Sequence, residues 1–377
     1  MKYILAGLVL RLIVAFWNGF FGPSFGADGD AVEFHLLAVE FSRFGVFDAK
    51  FNIGWVYSIF LGSIYFLTVN SLFLGSVLSC IAWLISALIL DKSIKLMGFQ
   101  QKYRDWALMI YAFLPSSILF TSVTLREVYQ LLFVNLLIFS ALMIIVKLNK
   151  KYWFVLLFSI IFLALLHFGL VLYGILGAIA TFYFSSTRGS RALSIELFIF
   201  YLPIGALLTY GGISLFLEIV PYSFSDGIAA AVQSYQSGHN VSRAMYVYKP
   251  EINGIFDLML FLPVSFGQYM LEPMPWKVET PLDLALFIEN VGRCVLVFFA
   301  ISRFFMSKSS VKIPFFFLIA MYFALEFLWA VGTVNWGSAV RHHIPSIGLL
   351  VIVGVCFLDK RMMSKPLKFK KRKLRKI

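Results

Sequence analysis

Between Asp28 and His35 the stretch DGDAVEFH places two aspartates, a glutamate and a histidine within eight residues. Carboxylates this close suit general-base work, in which one removes a proton from an attacking hydroxyl and a neighbour orients it or holds a cation. Asp30 is the candidate base. Asp28 and Glu33 would assist by position or as metal ligands, and His35 is a candidate substrate contact. The partner chemistry is a phosphate leaving group, whose developing negative charge needs Arg, Lys or His close by. Arg126 in TSVTLRE, Arg243 in SGHNVSRAMYVYKP, and Arg341 with His343 in VNWGSAVRHHIP are the candidates. Each has a plainer reading. Asp28 or Asp30 can cap a helix start, Arg126 and Glu127 can pair at a helix start, and Arg341 can snorkel at an interface. His342 and His343 do not read as a chelate, because adjacent helical residues point apart.

These residues must be held by something, and composition says what. The chain is 60% apolar and 14% charged over 377 residues, which points to a polytopic membrane protein rather than a soluble one. We read one integral domain, 1–359, followed by a basic tail, 360–377. The tail holds ten Lys/Arg and no acid, so removing it lowers the net charge from +13 to +3. Such a tail after an apolar run reads as a cytoplasmic anchor on anionic lipid, not as a nucleic-acid site. The N-terminal apolar run has no small-x-small cleavage site and reads as a retained first helix. Cys80, Cys294 and Cys356 all lie in apolar runs, which predicts neither a disulfide framework nor metal spacing. No P-loop is present, which disfavours a nucleotide-driven transporter.

Apolar runs long enough to span fall near 3–21, 72–90, 105–122, 128–147, 192–210, 283–302, 313–331 and 343–358. The run 152–184 is too long for one helix and reads as two, turning near His167. The fold class is therefore all-α, with about ten transmembrane helices. The runs 51–69 and 252–269 are different. The basic loops 91–104, 147–151, 185–191 and 303–312 and the tail share the cytoplasmic side only if neither run crosses. Both are expected as juxtamembrane or re-entrant helices on the outer face, with Pro263 breaking the second. Within 30–44, Phe34, Leu37, Ala38 and Phe41 form an apolar stripe expected to dip into lipid. Arg11, Arg293 and Glu326 fall inside spans and are expected to pair between helices.

The stretch GDAVEFHLLAVEFSRFGVF resembles the first outer loop of membrane glycosyltransferases of the GT-C superfamily, with Asp30, Phe34, Ala38 and Gly45 matching in order. The resemblance continues through 54–90 and 107–133, about the first 150 residues. The sequence departs from the family in carrying Asp-Gly-Asp where many members have Asp-Glu, and Leu-Arg-Glu where many have Asp. The segment PSSILFTSVTLRE is also similar to bacterial O-antigen and exopolysaccharide polymerases. The resemblance implies transfer of a sugar, or a sugar repeat unit, from a polyprenyl (undecaprenyl) phosphate-linked donor to a glycan or lipid-linked acceptor. It places that reaction at the outer face of the cytoplasmic (inner) membrane, in cell-surface polysaccharide assembly. It leaves Mg²⁺ or Mn²⁺ as candidate cofactors without fixing the need for either. A lipid-linked sugar flippase is the rival from another class, which should carry its charges near the midplane and show internal repeats.

Overall fold

The computed structural model describes residues 1–23, 29–45, 56–186, 243–246, 255–306 and 309–359. Asp28, the expected span 192–210 and the tail 360–377 lie outside the described residues. The fold is all-α. Its helices are α1 (Lys2–Phe20), α2 (Asp30–Phe44), α3 (Val56–Leu67), α4 (Leu72–Met97), α5 (Gln101–Phe113), α6 (Pro115–Phe120) and α7 (Glu127–Lys147). They continue with α8 (Tyr152–Leu166), α9 (Leu170–Ser186), α10 (Ile255–Leu271), α11 (Pro281–Met306), α12 (Ser309–Gly332), α13 (Trp336–His342) and α14 (Ile347–Val355). Among the described residues six helical runs are long and apolar enough to cross a membrane: Lys2–Phe20, Leu72–Met97, Glu127–Lys147, Pro281–Phe305, Ile313–Gly332 and Trp336–Leu358.

The bundle has two distinguishable ends. At one, Phe20 of α1 meets Phe73 of α4 with ring centroids 5.2 Å apart. The chain between them therefore leaves and returns at the same end, as the α2–α3 hairpin. Gly62 makes this hairpin possible: a Cβ there would sit 2.6 Å from the Ala38 carbonyl oxygen. Arg243, ahead of α10, pairs with Asp283 at the start of α11 at 2.7 Å, and Trp336 of α13 donates to the same carboxylate, so the chain that carries α10 leaves and returns at one end. At the opposite end Asp359 accepts from the Gln100 backbone N–H at 3.0 Å, and Asp91 binds Lys95 and Arg104.

The interior is made by α7 and the α13–α14 run. Gly348 of α14 lets that run press on α7, where an added Cβ would lie 2.0 Å from Asn135 Oδ1. Asn135 in turn donates to Ser86 Oγ at 2.8 Å and to Tyr111 Oη at 3.3 Å, joining α7 to α4 and α5. Small residues that admit a neighbouring backbone, with polar side chains bonding across helices, are the usual means of packing helices in lipid.

Four expectations change. The stripe of α2 faces protein rather than lipid: Ala38 is buried and Phe34 packs edge-on to Tyr57 at 5.3 Å. The α2 N-cap is Gly29, without a side-chain cap, and Asp30 is the first helical residue. Its carboxylate is drawn instead to a guanidinium, described below. The run 105–122 is two helices because Pro115 has no N–H for the ladder and sits at the start of α6. Helix α10 continues through Pro263 rather than breaking there.

Candidate functional site

Helix α2 starts at Asp30, and that end of the helix is where the site gathers. The Asp30 carboxylate accepts from Arg341 Nη1 of α13, 311 residues away in sequence. The Asp30 side chain is 47% exposed and that of Arg341 is 16% exposed, so the pair is open on the acid's side. One turn along α2, the Phe34 ring lies 5.5 Å from the Arg126 guanidinium. Arg126 also donates from Nη1 to the Leu166 carbonyl at 3.5 Å, at the end of α8. Thr124 Oγ1 donates to the Ala31 carbonyl at 2.6 Å and fixes the α6–α7 turn against α2. Two expected phosphate contacts, Arg126 and Arg341, thus converge on α2, and Arg341 touches Asp30 directly.

Histidines line the same rim. His35 Nδ1 is 2.9 Å from Tyr65 Oη, and burial lowers its pKa. His167 sits between α8 and α9, as its position in the 152–184 run predicts. Its pKa falls to about 3, first through burial and then through the Arg126 charge. Its Nδ1 accepts from the Gly169 N–H at 3.2 Å, which requires the neutral ring. His342 stacks on Trp329 with centroids 4.3 Å apart and lies within electrostatic reach of Arg341, His167 and Arg126.

The remaining candidates scatter. Glu33 is exposed, without bridging to the Asp30–Arg341 pair. Arg243 forks onto Asp283 at 2.7 and 3.2 Å, and Asp283 also accepts from Trp336 Nε1 at 3.4 Å. Arg243 thus braces the start of α13 rather than joining the rim. Arg126 and Glu127 form no ion pair, Arg126 lying instead against Phe34 and the Leu166 carbonyl. Glu127 is buried, with one oxygen lacking a hydrogen-bond partner. Among the described residues no group of three His, Cys, Asp or Glu side chains could hold a metal ion.

His343 departs furthest from expectation. It is 1% exposed and belongs to a second cluster inside the bundle. Its Nδ1 lies 2.7 Å from Glu326 Oε2 and its Nε2 lies 3.2 Å from the Tyr269 carbonyl oxygen. Ser346 Oγ donates to the other Glu326 oxygen, and Arg293 Nη1 stands 3.8 Å from it. One turn back on α11, Glu289 accepts from both the backbone N–H and the hydroxyl of Ser116, the residue after the Pro115 break. Arg293 and Glu326 pair between helices as expected, but that they partner each other was not read from the sequence, nor were Glu289, Ser346 and the place of His343. Arg11 pairs differently, with no acid. It donates to Thr121 Oγ1 at 2.7 Å, Ser117 Oγ at 2.8 Å and the Ala112 carbonyl at 2.9 Å, over the Trp83 ring.

Compared with protein-family models, with curated proteins and with solved structures, the chain matches none.

Proposed function

We propose that the protein is a multi-pass membrane glycosyltransferase that uses a polyprenyl phosphate-linked sugar at the outer rim of the cytoplasmic membrane. The observation that carries this reading is the convergence of Asp30, Arg341 and Arg126 at one end of α2. In the proposed step, Asp30 takes the proton of an acceptor hydroxyl as its oxygen attacks the anomeric carbon. The new carbon–oxygen bond forms while the bond to the carrier phosphate breaks, and the phosphate leaves with the electron pair. Arg341 holds Asp30 in the free protein. An arriving phosphate offers the guanidinium a bidentate partner. It thereby releases the carboxylate to act as base, and Arg126 stands one helical turn away to share the charge.

The ten-span threading belongs to the same proposal. Helices α1, α4, α5–α6, α7, α8, α9, α11, α12 and α13–α14 cross, together with 192–210, while α2–α3 and α10 do not. The positive-inside bias then puts the hairpin end outside.

The test is transfer of radiolabel from a polyprenyl phosphate-linked sugar by purified protein in vesicles. Asp30→Asn should lower transfer by about 10²-fold, the usual scale for general-base catalysis. Turnover near wild type in that variant sinks the reading. Supplying a polyprenyl diphosphate-linked repeat unit in a parallel arm separates single transfer from polymerisation. One observation favours the transporter alternative: Arg293, Glu326, Glu289 and His343 form the buried charge cluster that transport sites carry. Movement of a lipid-linked sugar across vesicles without transfer would support it.

A further inference from the structure

Between the α5–α6 break, α11 and α14 lies a cavity of about 370 Å³. That is within the size range of small-ligand sites. Its walls are apolar, Ile110, Leu114, Leu296 and Leu350 among them, and among the described residues the charged ones lining it are Glu289 and Arg293. Gly292 opens it: a Cβ at this position would meet no atom within 4 Å. The wall residue Ile288 is 61% exposed, so the cavity faces the flank of α11, a helix apolar enough to lie in a membrane.

Arg293 decides the ligand chemistry. It is 3% exposed, its Nη1 stands 3.8 Å from Glu326 Oε1, beyond hydrogen-bond reach, and its Nε and Nη1 have no hydrogen-bond acceptor among the described residues. A buried guanidinium with unfilled donors calls for an oxygen. That oxygen should not be anionic. Glu326 accepts from Ser346 and lies 3.8 Å from Arg293, and Glu289 accepts from the Ser116 backbone N–H, so two carboxylates face the one arginine. Two carboxylates balance Arg293 even with His343 protonated, so the cluster has no net positive charge to attract a further anion. We propose that this cavity binds an uncharged lipid: an apolar chain bearing one neutral acceptor, an ester or ketone carbonyl or a hydroxyl, that lies against Arg293. This ligand is distinct from the phosphate carrier assigned to the rim, and the proposal stands whether or not the rim transfers sugar.

The experiment uses the full chain in nanodiscs and two probes, a long-chain methyl ester carrying a photoactivatable diazirine and the matching free acid at pH 8. Irradiation is followed by peptide mapping. The ester should label the cavity walls on α11 and α14, with the free acid at least tenfold weaker there. Gly292→Leu should cut ester labelling of those walls about tenfold and Gly292→Ala less. Labelling of the exposed α8 residues Phe154 and Leu157 should not change. Equal labelling by the acid would overturn the proposal, as would wall labelling unaffected by both Gly292 variants, which marks annular lipid only. A second measurement uses Gly292→Cys with Cys80, Cys294 and Cys356 changed to Ser. Reaction with a lipid-soluble maleimide is expected; failure to react would mean that another part of the chain fills the cavity, and would equally overturn it. A free prenol and a glycerolipid, each added as competitor, distinguish a free alcohol from a membrane ester as the source.

Discussion

Arg341 and Arg293 both stand beside a carboxylate, and their surroundings give them opposite parts. Arg341 meets Asp30 at the rim, where nearly half of the acid's side chain is exposed. Such a pair contributes little to stability and exchanges partners readily, because water takes up either charge. Arg293 meets Glu326 where neither is exposed, and each acid oxygen there already has a donor. Removing one member strands a charge in a medium that cannot solvate it. Exposure, more than residue type, thus separates a pair that can take part in a reaction from one that holds helices together.

The largest effect expected from breaking this contrast is at Glu326. Glu326→Ala should cost about 3–5 kcal/mol, the range for removing one partner of a buried pair, read by chemical or thermal unfolding in detergent. A loss under about 1 kcal/mol would place the interior pair with the rim pair. Next comes Asp30→Asn, for which the roughly hundredfold drop in transfer should accompany a stability change of no more than about 1 kcal/mol. If that variant unfolds early, Asp30 is a structural residue and the two regions do not differ. Gly348→Ala sharpens the interior side. With Asn135 Oδ1 2.0 Å from the new methyl, α14 must shift, at a cost of about 1–3 kcal/mol. An unchanged unfolding midpoint would show that α7 yields there.

The last effect is read as a slope and belongs to the rim and to pH. His167 stays neutral in the folded state down to about pH 3, whereas the unfolded chain protonates it near 6.5. Between those values the unfolded state binds more protons, so stability falls as pH falls through the window and is unaffected above it. His167→Phe keeps a ring against Trp329, now 4.6 Å from the imidazole, and should flatten that slope by about one proton. A slope identical to wild type would mean that His167 titrates normally.

Six of the spans were legible because an apolar run of sufficient length has few other uses, and the turn at His167 followed from length alone. The reading of 51–69 and 252–269 as non-crossing came from the loop charges, a global constraint that needs no knowledge of contacts. The site was legible only as a set of residue types. Asp30 and Arg341 are 311 residues apart, and nothing local says that they touch. His343 was misplaced for a simpler reason. It follows Arg341 by two residues, which on a helix is about 200° of rotation, so the arginine faces the rim and the histidine the interior. Glu289 escaped notice because its partner is the backbone freed by Pro115, and a helix break seen in sequence does not say which side chain will fill it.

That break at Pro115 has a consequence for how the chain is made. Arg11 lies in the first helix, and its acceptors at Ala112, Ser117 and Thr121 follow 101 to 110 residues later. During synthesis α1 therefore reaches the bilayer with a guanidinium whose only acceptor is the Gly7 carbonyl of its own helix, at an insertion cost of about 2.5–3.5 kcal/mol. At the usual elongation rate of about 5–20 residues per second, the helix waits several seconds for its partners. Until then it must hold Arg11 near the headgroups or against another membrane protein, and its final depth is reached only when α5 and α6 arrive.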